Sequence, residues 1–337
     1  MSRLFTGPAT PPPVFSHRRR MRDVDAPLRT ITAAHGAFLR REAIAAGLED
    51  RLLRREVRHG RLVKVRHGAY AFADEWSAGD VVHRHVILTR AAMRTLGDRV
   101  TASHVSACAL HGMDLWDVPL DVAHVTRLDG GAGRRERDVQ HHEGLVLPED
   151  VQLLDGFQVM RPARAALESA TTSGVERGLV TVNSGLHMQL FDREALMAQY
   201  ALMQSWPESQ HLQVVTRLAD GRVESVGESR SLFLFWSQGL PMPELQYPVR
   251  DRGRLIGTVD FAWPQHRLIV EFDGRVKYQK YLRPGEDPGD AVFREKRRED
   301  AIRRITGWTV IRLTWADLAD PVRTAAILRE AFAAAAA

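Results

Sequence analysis

Two acidic residues lie on neighbouring segments of a predicted β-hairpin in the last third of this chain. Polar and apolar residues alternate through 258–263 and again through 268–273, which is the pattern of half-buried strands. The short loop between them has a common hairpin length, and centring the turn in it places Asp260 opposite Glu271. Opposed side chains have Cβ atoms about 4.5–5.5 Å apart. The same register predicts three apolar pairs on the other face: Val259 with Phe272, Phe261 with Val270, and Trp263 with Leu268.

Two carboxylates held this close repel each other unless they share a proton or hold a cation. Hard divalent cations such as Mg²⁺ favour one or two carboxylates together with water and phosphate oxygens, and Mn²⁺ accepts the same ligands. A metal held by Asp260 and Glu271 would lower the pKa of its bound water and neutralise charge on a phosphate. The alternative is an ordinary solvated strand face with scattered acids.

Six segments of the last third form a larger pattern: ESVGE (224–228), QYPV (246–249), VDF (259–261), VEFDG (270–274), RRED (297–300) and GWTVIRLTW (307–315). Together they resemble the PD-(D/E)xK nuclease superfamily, and more closely its very-short-patch-repair (Vsr)-like endonuclease domains. The resemblance implies a restriction-endonuclease-like mixed sheet flanked by helices, and Mg²⁺-dependent hydrolysis of DNA phosphodiester bonds. It also implies that Asp260 and Glu271 are the metal ligands.

Three further residues complete the predicted catalytic site. Glu228 lies on the preceding helix, where the resemblance implies a supporting acid, while Ser225-x-x-Glu228 also reads as a capping box. The superfamily usually has lysine two residues after the second acid, but this chain has Asp273 there, a third acid near the metal. Lys277, four residues further on, is the candidate cation, and the Vsr-like relatives often lack the lysine too.

A basic helix is predicted from about residue 290 to residue 306, ended by Gly307. Its predicted DNA-binding residues are Arg294, Arg297 and Arg298. A cationic helix beside an acidic metal site suits a phosphate-backbone ligand. The alternative is a solvated face, since acids interleave the bases.

Residues 27–76 have the order of a winged helix-turn-helix domain: helices at 38–46 and 48–58, then a hairpin at 62–66 and 69–72. The second helix is predicted to enter the major groove and the hairpin to contact phosphate. The predicted DNA-binding residues are Arg51, Arg54, Arg55 and Arg58 in the helix and Lys64 and Arg66 in the hairpin. The alternative is a small helical domain with an arginine-rich surface.

Residues 77–220 predict a mixed α/β and helical middle domain, with helices at 80–96, 101–111 and from 161, and strands at 122–126, 138–142 and 157–160. Four segments, VRHGAY (65–70), SHVSACALHG (103–112), VAHVT (122–126) and RPARAAL (161–167), resemble the AbiEi-type antitoxin family. That resemblance implies DNA binding, repression of the protein's own operon and a nucleotidyltransferase-like toxin partner.

Composition sets the remaining expectations. The chain has 337 residues and a net charge of +5, which favours double-stranded DNA as a partner, and no apolar run long enough to cross a membrane. One cysteine excludes an intrachain disulfide framework and fits a cytoplasmic protein. Residues 1–26 are predicted to be a disordered tail. Histidine pairs without a zinc spacing predict packing or hydrogen bonding rather than metal binding: His83 with His85, His104 with His111, and His141 with His142.

The sequence thus predicts a multidomain α/β protein: a tail at 1–26, a winged helix at 27–76, a middle domain at 77–220 and a Vsr-like endonuclease domain at 221–337. The leading function is a DNA-binding, Mg²⁺-dependent endonuclease. The alternative is an AbiEi-like transcriptional repressor or antitoxin whose nuclease-fold domain is catalytically inactive.

Overall fold

The computed structural model describes residues 21–274, 297, 298 and 300–336. Within this range the chain divides into two compact units, one ending at Asp80 and the other beginning at Val81. Lys277 and Arg294 from the predicted sites lie outside the described residues.

The described part of the first unit, residues 21–80, contains four helices and three strands: α1 (Met21–His35), β1 (Phe38–Leu39), α2 (Arg40–Ala45), α3 (Asp50–Arg58), β2 (Leu62–Arg66), β3 (Ala69–Phe72) and α4 (Ala73–Ala78). Its antiparallel sheet has the order β1-β3-β2. The predicted hairpin is confirmed, since Arg66 pairs with Ala69 around a two-residue turn in which Gly68 takes φ +75°. The order of elements is that of a winged helix.

The core of the first unit forms where one apolar face of each helix meets the sheet. Leu28 of α1, Leu53 of α3 and Phe38 are fully or almost fully buried in one cluster. Two predictions are wrong here. Residues 21–26 of the predicted disordered tail belong to α1, because that helix buries Leu28. Phe38 and Leu39 begin β1 rather than a helix, because they pair with β3.

The second unit opens with a six-stranded mixed sheet and two helices: α5 (Val81–Leu96), β4 (Val100–Ala102), α6 (His104–Leu110), β5 (Ala123–Arg127), β6 (Arg134–Arg135), β7 (Val139–His142), β8 (Val151–Leu154) and β9 (Phe157–Met160). The strand order is β6-β7-β5-β4-β9-β8. The predicted helix at 101–111 is wrong at its start, because Thr101 and Ala102 pair with β5 and only His104–Leu110 are helical. The predicted strands β5, β7 and β9 are confirmed.

Four helices follow: α7 (Pro162–Ser173), α8 (Val175–His187), α9 (Arg193–Met203) and α10 (Leu212–Leu218). The rest of the chain contains α11 (Val226–Ser237), β10 (Glu244–Asp251), β11 (Arg254–Trp263), β12 (Leu268–Phe272), α12 (described at 297–298 and 300–306), β13 (Thr309–Leu313), α13 (Trp315–Ala319) and α14 (Pro321–Ala336). The sheet order is β10-β11-β12-β13, antiparallel except for the parallel pair of β12 and β13.

The predicted hairpin register is confirmed where β11 pairs with β12, since Phe261 lies opposite Val270 and Trp263 opposite Leu268. Helices cover both faces of this sheet. Phe235 of α11 packs edge-on against Phe261 on one face, at 5.1 Å between ring centroids. On the other face Ile269 is buried in a cluster with Ile302 of α12, so the acidic face of the hairpin is apolar along part of its length.

Helix α11 joins the second sheet to the helices that precede it. Asn183 of α8 donates a hydrogen bond to Ser229 of α11 at 3.1 Å, and both side chains are buried. The predicted boundary between residues 220 and 221 remains a prediction. No helix among the described residues combines the length and apolar composition needed to cross a membrane.

Candidate functional sites

A concave surface in the first unit, here called the basic groove, lies between α3 and the β2–β3 hairpin. It has a volume of about 790 Å³ and is lined by Arg40, Asp50, Arg54, Val57, Arg58, Lys64, His67, Gly68 and Tyr70. Four of these side chains are cationic and one is a carboxylate. The groove therefore presents net positive charge on a concave surface, which suits an anionic polymer.

The four arginines predicted to contact DNA from α3 are all exposed. Arg54 and Arg58 are four residues apart, so they share the helix face that lines the groove. Arg51 and Arg55 lie outside the groove lining. Arg55 also forms an ion pair with Glu56 at 3.3 Å, and this carboxylate partly neutralises the positive charge that Arg55 would present to DNA.

The two cations predicted on the hairpin differ in exposure. Lys64 is exposed and lines the groove, whereas Arg66 is buried. Beside them, Arg40 forms an ion pair with Asp50, and this contact lowers the pKa of Asp50 below its ordinary value. Arg54, Arg58 and Lys64 thus carry most of the positive charge of the groove.

The acidic hairpin lies in the second unit. Asp260 of β11 accepts a hydrogen bond from the backbone N–H of Phe272 in β12, at 2.8 Å. Glu271 of β12 accepts one from Arg298 of α12 at 3.1 Å, and the same guanidinium donates to the carbonyl of Thr258 at 2.7 Å. Arg298 therefore ties α12 to both strands that carry the predicted metal ligands, and Arg297 beside it is exposed.

Glu228 is 1% exposed and serves the start of α11. Its carboxylate accepts hydrogen bonds from the hydroxyl of Ser225 at 2.7 Å and from the backbone N–H of Glu224 at 2.9 Å. Ser225 accepts in turn from the Glu228 N–H at 3.2 Å. The predicted cap of Ser225 on the Glu228 N–H is confirmed, whereas the Glu228 carboxylate accepts from the N–H of Glu224 rather than from that of Ser225; these contacts fix the carboxylate at the helix terminus. Gln246 adds a further contact at 3.3 Å.

The structure brings only some of the predicted catalytic acids together. Asp260 and Glu271 lie on adjacent strands, and Asp273 follows β12, where its N–H donates to Leu313 at 2.8 Å. Across the described parts of the chain, no three of the predicted acids place their oxygens within 4.8 Å of one another.

A cluster of histidines was missed by the sequence analysis. One ring nitrogen each from His104, His124 and His142 lies within 4.8 Å of the other two, and among the described residues this is the only such group of three possible metal ligands. The rings come from α6, β5 and β7, which are separated in the chain. His124 has no histidine partner at a recognisable spacing, so only the sheet topology brings the three together.

The basic groove lies within a region that matches a family model. Residues 28–73 match the family model described as transcriptional regulator, AbiEi antitoxin. This AbiEi-like region contains α3, the hairpin and every residue that lines the groove. Two uncharacterized proteins from different strains of Mycobacterium tuberculosis are each 28% identical to the chain over 276 residues. The similarity covers 80% of this chain and 92% of each relative, so it extends well beyond the AbiEi-like region.

Proposed function

We propose that this protein is a DNA-binding transcriptional regulator of the AbiEi antitoxin type. The observation that carries the proposal is the basic groove, which lies within the region that matches the regulator family. Helix α3 presents Arg54 and Arg58 on one exposed face, and an α-helix fits the major groove of B-DNA. Lys64 on the hairpin is exposed and lines the groove, and it would contact phosphate.

The regulator family also supports a protein partner. We extend the proposal to a nucleotidyltransferase-like toxin, which an antitoxin of this type would counter. DNA binding rests on the groove itself, whereas the toxin partner rests on family similarity alone.

DNA binding is tested with the full-length protein and a labelled duplex from the region upstream of its own gene. We expect Arg54→Ala to weaken binding about tenfold or more, because a base contact contributes about 1–3 kcal/mol. Lys64→Ala should weaken binding to all sequences and lower the slope of log K against log salt by about one, because one phosphate contact is lost. Fluorescence anisotropy across a salt series measures both effects.

Arg323→Ala is the matched control, since Arg323 is an exposed arginine of α14 outside the groove. It removes the same charge and should bind DNA as the wild type does. Equal losses in the groove variants and in this control would contradict docking through the groove. Wild-type binding that shows no preference for the upstream duplex over an unrelated duplex would contradict the regulatory function.

A second function, Mg²⁺-dependent DNA endonuclease activity in a Vsr-like domain, is favoured by the confirmed hairpin register. Asp260 directly precedes Phe261 and Glu271 directly follows Val270, the last pair of this ladder, and Asp260 also accepts a hydrogen bond from the N–H of Phe272. Two carboxylates fit the ligand set that Mg²⁺ prefers, with Mn²⁺ as a substitute. A bound ion would lower the pKa of a water ligand and neutralise charge on the scissile phosphate.

The residues around the acids have defined roles in this second proposal. Asp260 is oriented by the N–H of Phe272, which holds one oxygen in place. Arg298 forms an ion pair with Glu271, and a cation held by Glu271 would compete with this pair. The guanidinium would then stabilise negative charge on the phosphate. Glu228 supports the start of α11.

Nicking of supercoiled plasmid with Mg²⁺ or Mn²⁺ tests this activity. We expect Asp260→Asn and Glu271→Gln to lower the rate by about a hundredfold or more, because a metal ion contributes several kcal/mol to transition-state stabilisation. Asp251→Asn, at the exposed end of β10, is the matched control and should retain full activity. A wild-type protein that cuts no faster with metal than with EDTA would limit the protein to regulation.

A further inference from the structure

We propose that His104, His124 and His142 form a binding site for one divalent transition metal ion of the Zn²⁺ class. The site lies in the second unit and shares no residue with the basic groove or the acidic hairpin. It goes beyond both proposed functions, because neither DNA recognition by the groove nor phosphodiester hydrolysis at the hairpin uses it.

The first argument is convergence. Nδ1 of His124 lies 3.0 Å from Nε2 of His142. Two nitrogens bound to one tetrahedral Zn²⁺ at about 2.0–2.1 Å are about 3.3 Å apart, so these atoms need to move only a few tenths of an ångström. The rings of His104 and His142 are 3.7 Å apart at their centroids and nearly parallel. One ring nitrogen of His104 also lies within 4.8 Å of the ligand nitrogens of the other two side chains, and the terminal torsion of each ring is soft enough to adjust its direction.

The second argument is how the fold places the three rings. The parallel pairing of β5 and β7 sets His124 opposite Gln140 and Thr126 opposite His142. Alternation along each strand then puts His124 and His142 on the same face. His104 reaches this face from the start of α6, where its φ of 50° is a left-handed value that favours glycine. The fold tolerates that conformation at the residue whose ring completes the group.

The surroundings of His104 resemble the support that metal-bound histidines usually have. Its Nδ1 lies 3.0 Å from the hydroxyl of Ser103 and 3.7 Å from the carboxylate of buried Glu168. Such contacts orient the ring and leave Nε2 as the nitrogen assigned to the metal. Arg164 also lies close to this site, and its charge is balanced by ion pairs with Asp150 and Glu168.

The ligand set decides the class of ion. Imidazole ligands suit Zn²⁺, Co²⁺, Ni²⁺ and Cu²⁺, whereas Mg²⁺ and Ca²⁺ require oxygen ligands. Three imidazoles leave a fourth tetrahedral position for a water molecule or another small ligand.

Metal titration of the full-length protein tests the proposal. Any purification tag is removed and bound ions are stripped with EDTA, which is then dialysed away. We expect one Zn²⁺ per chain by calorimetry, and one Co²⁺ per chain with the visible absorption of a tetrahedral complex. Millimolar Mg²⁺ should not compete. His124→Gln and His142→Gln should each weaken binding at least about tenfold. His83→Gln, an exposed histidine of α5, is the matched control and should bind as the wild type does.

Two further measurements keep the outcome decisive. X-ray absorption spectroscopy of the wild-type zinc complex should show three imidazole ligands, and this readout does not depend on whether a variant folds. Asp260→Asn should leave zinc affinity unchanged, which separates this site from the acidic hairpin. Absence of stoichiometric binding in the wild type, fewer than three imidazoles, or equal losses in His142→Gln and His83→Gln would each overturn the proposal.

Discussion

Gly227, near the start of α11, is a position where a single methyl group should be costly. A Cβ built on this residue would lie 2.0 Å from the ring of Phe272, which is buried and packs against Trp315. Its backbone does not require glycine, so helix propensity alone would favour alanine by about 1 kcal/mol. We expect overpacking to outweigh that gain and Gly227→Ala to destabilise the second unit by about 1–3 kcal/mol, measured by urea denaturation.

The cause can be isolated with a second substitution. Phe272→Leu removes the ring edge that the new methyl group would meet. The double variant should therefore be more stable than the sum of the two single effects predicts. If Gly227→Ala raises stability, or if the two effects simply add, then the contact between Gly227 and Phe272 does not limit this position.

Residue-level predictions succeeded where the pattern is local. The hairpin register followed from strand period and loop length, both confined to residues 258–273. Arg66 shows where such reasoning fails. Lys64 and Arg66 should share a strand face, but the register shifts between them, so Lys64 is exposed and Arg66 is buried. An irregularity of this kind leaves no mark in the alternation of residue types.

Contacts between residues far apart in the chain could not be predicted from the sequence. Arg298 was predicted to contact DNA. In the structure it forms an ion pair with Glu271, which was not predicted. That contact depends on how α12 crosses the sheet, which neither residue type nor spacing determines. The histidine cluster was missed for the same reason, because its members lie on three elements joined only by the sheet order.

At the scale of elements, long periodic segments were predicted well and short ones were not. Helices α3 and α5 and strands β2, β3 and β9 lie within two residues of their predicted bounds. Strand β1 has two residues and strand β4 has three, all of them buried. A short buried strand has no alternation, so it cannot be told from a buried helical turn. This explains why residues 101 and 102 were assigned to a helix.

The second sheet illustrates the other limit on element prediction. Phe261 and Trp263 were expected on an apolar face, with the acids on a polar one. Helix α12 instead covers part of the acidic face, and Ile269 is fully buried there. A sheet covered on both sides needs apolar residues on both faces. The alternating pattern did not predict this burial. Ala262 is small, so it was assigned to the polar face, where it is in fact buried beside Ile269.

At the scale of the whole chain, α11 links parts that the sequence assigned to separate domains. Arg230 of α11 donates to Glu176 of α8 at 2.8 Å, and its guanidinium lies over the ring of Trp116 at 3.9 Å. These side chains are about 50 to 115 positions apart in the chain, so no local sequence pattern could predict the two contacts. The same helix presents Phe235 to the second sheet. Its two packed faces make α11 part of both cores.

The half-buried histidines His124 and His142 should make the stability of the metal-free protein depend on pH. Burial, and secondarily the neighbouring histidines, holds the pKa of His124 at about 3 and that of His142 at about 4. In the unfolded chain both pKa values return to about 6.5. Between these values the unfolded state binds more protons than the folded state. Stability is therefore complete above pH 6.5 and falls as the pH drops towards 4.

We expect the loss for each such histidine to steepen as the pH falls, towards a limit of about 1.4 kcal/mol per pH unit near pH 5, measured by urea denaturation from pH 7 to pH 5 in EDTA. His142→Gln should reduce this slope by about one histidine's share, while His83→Gln should leave it unchanged because His83 is exposed. Glu168 acts in the opposite direction, since burial raises its pKa and protonation would favour the folded state. A wild-type stability that stays constant across this range would mean that the two histidine rings take up protons without unfolding.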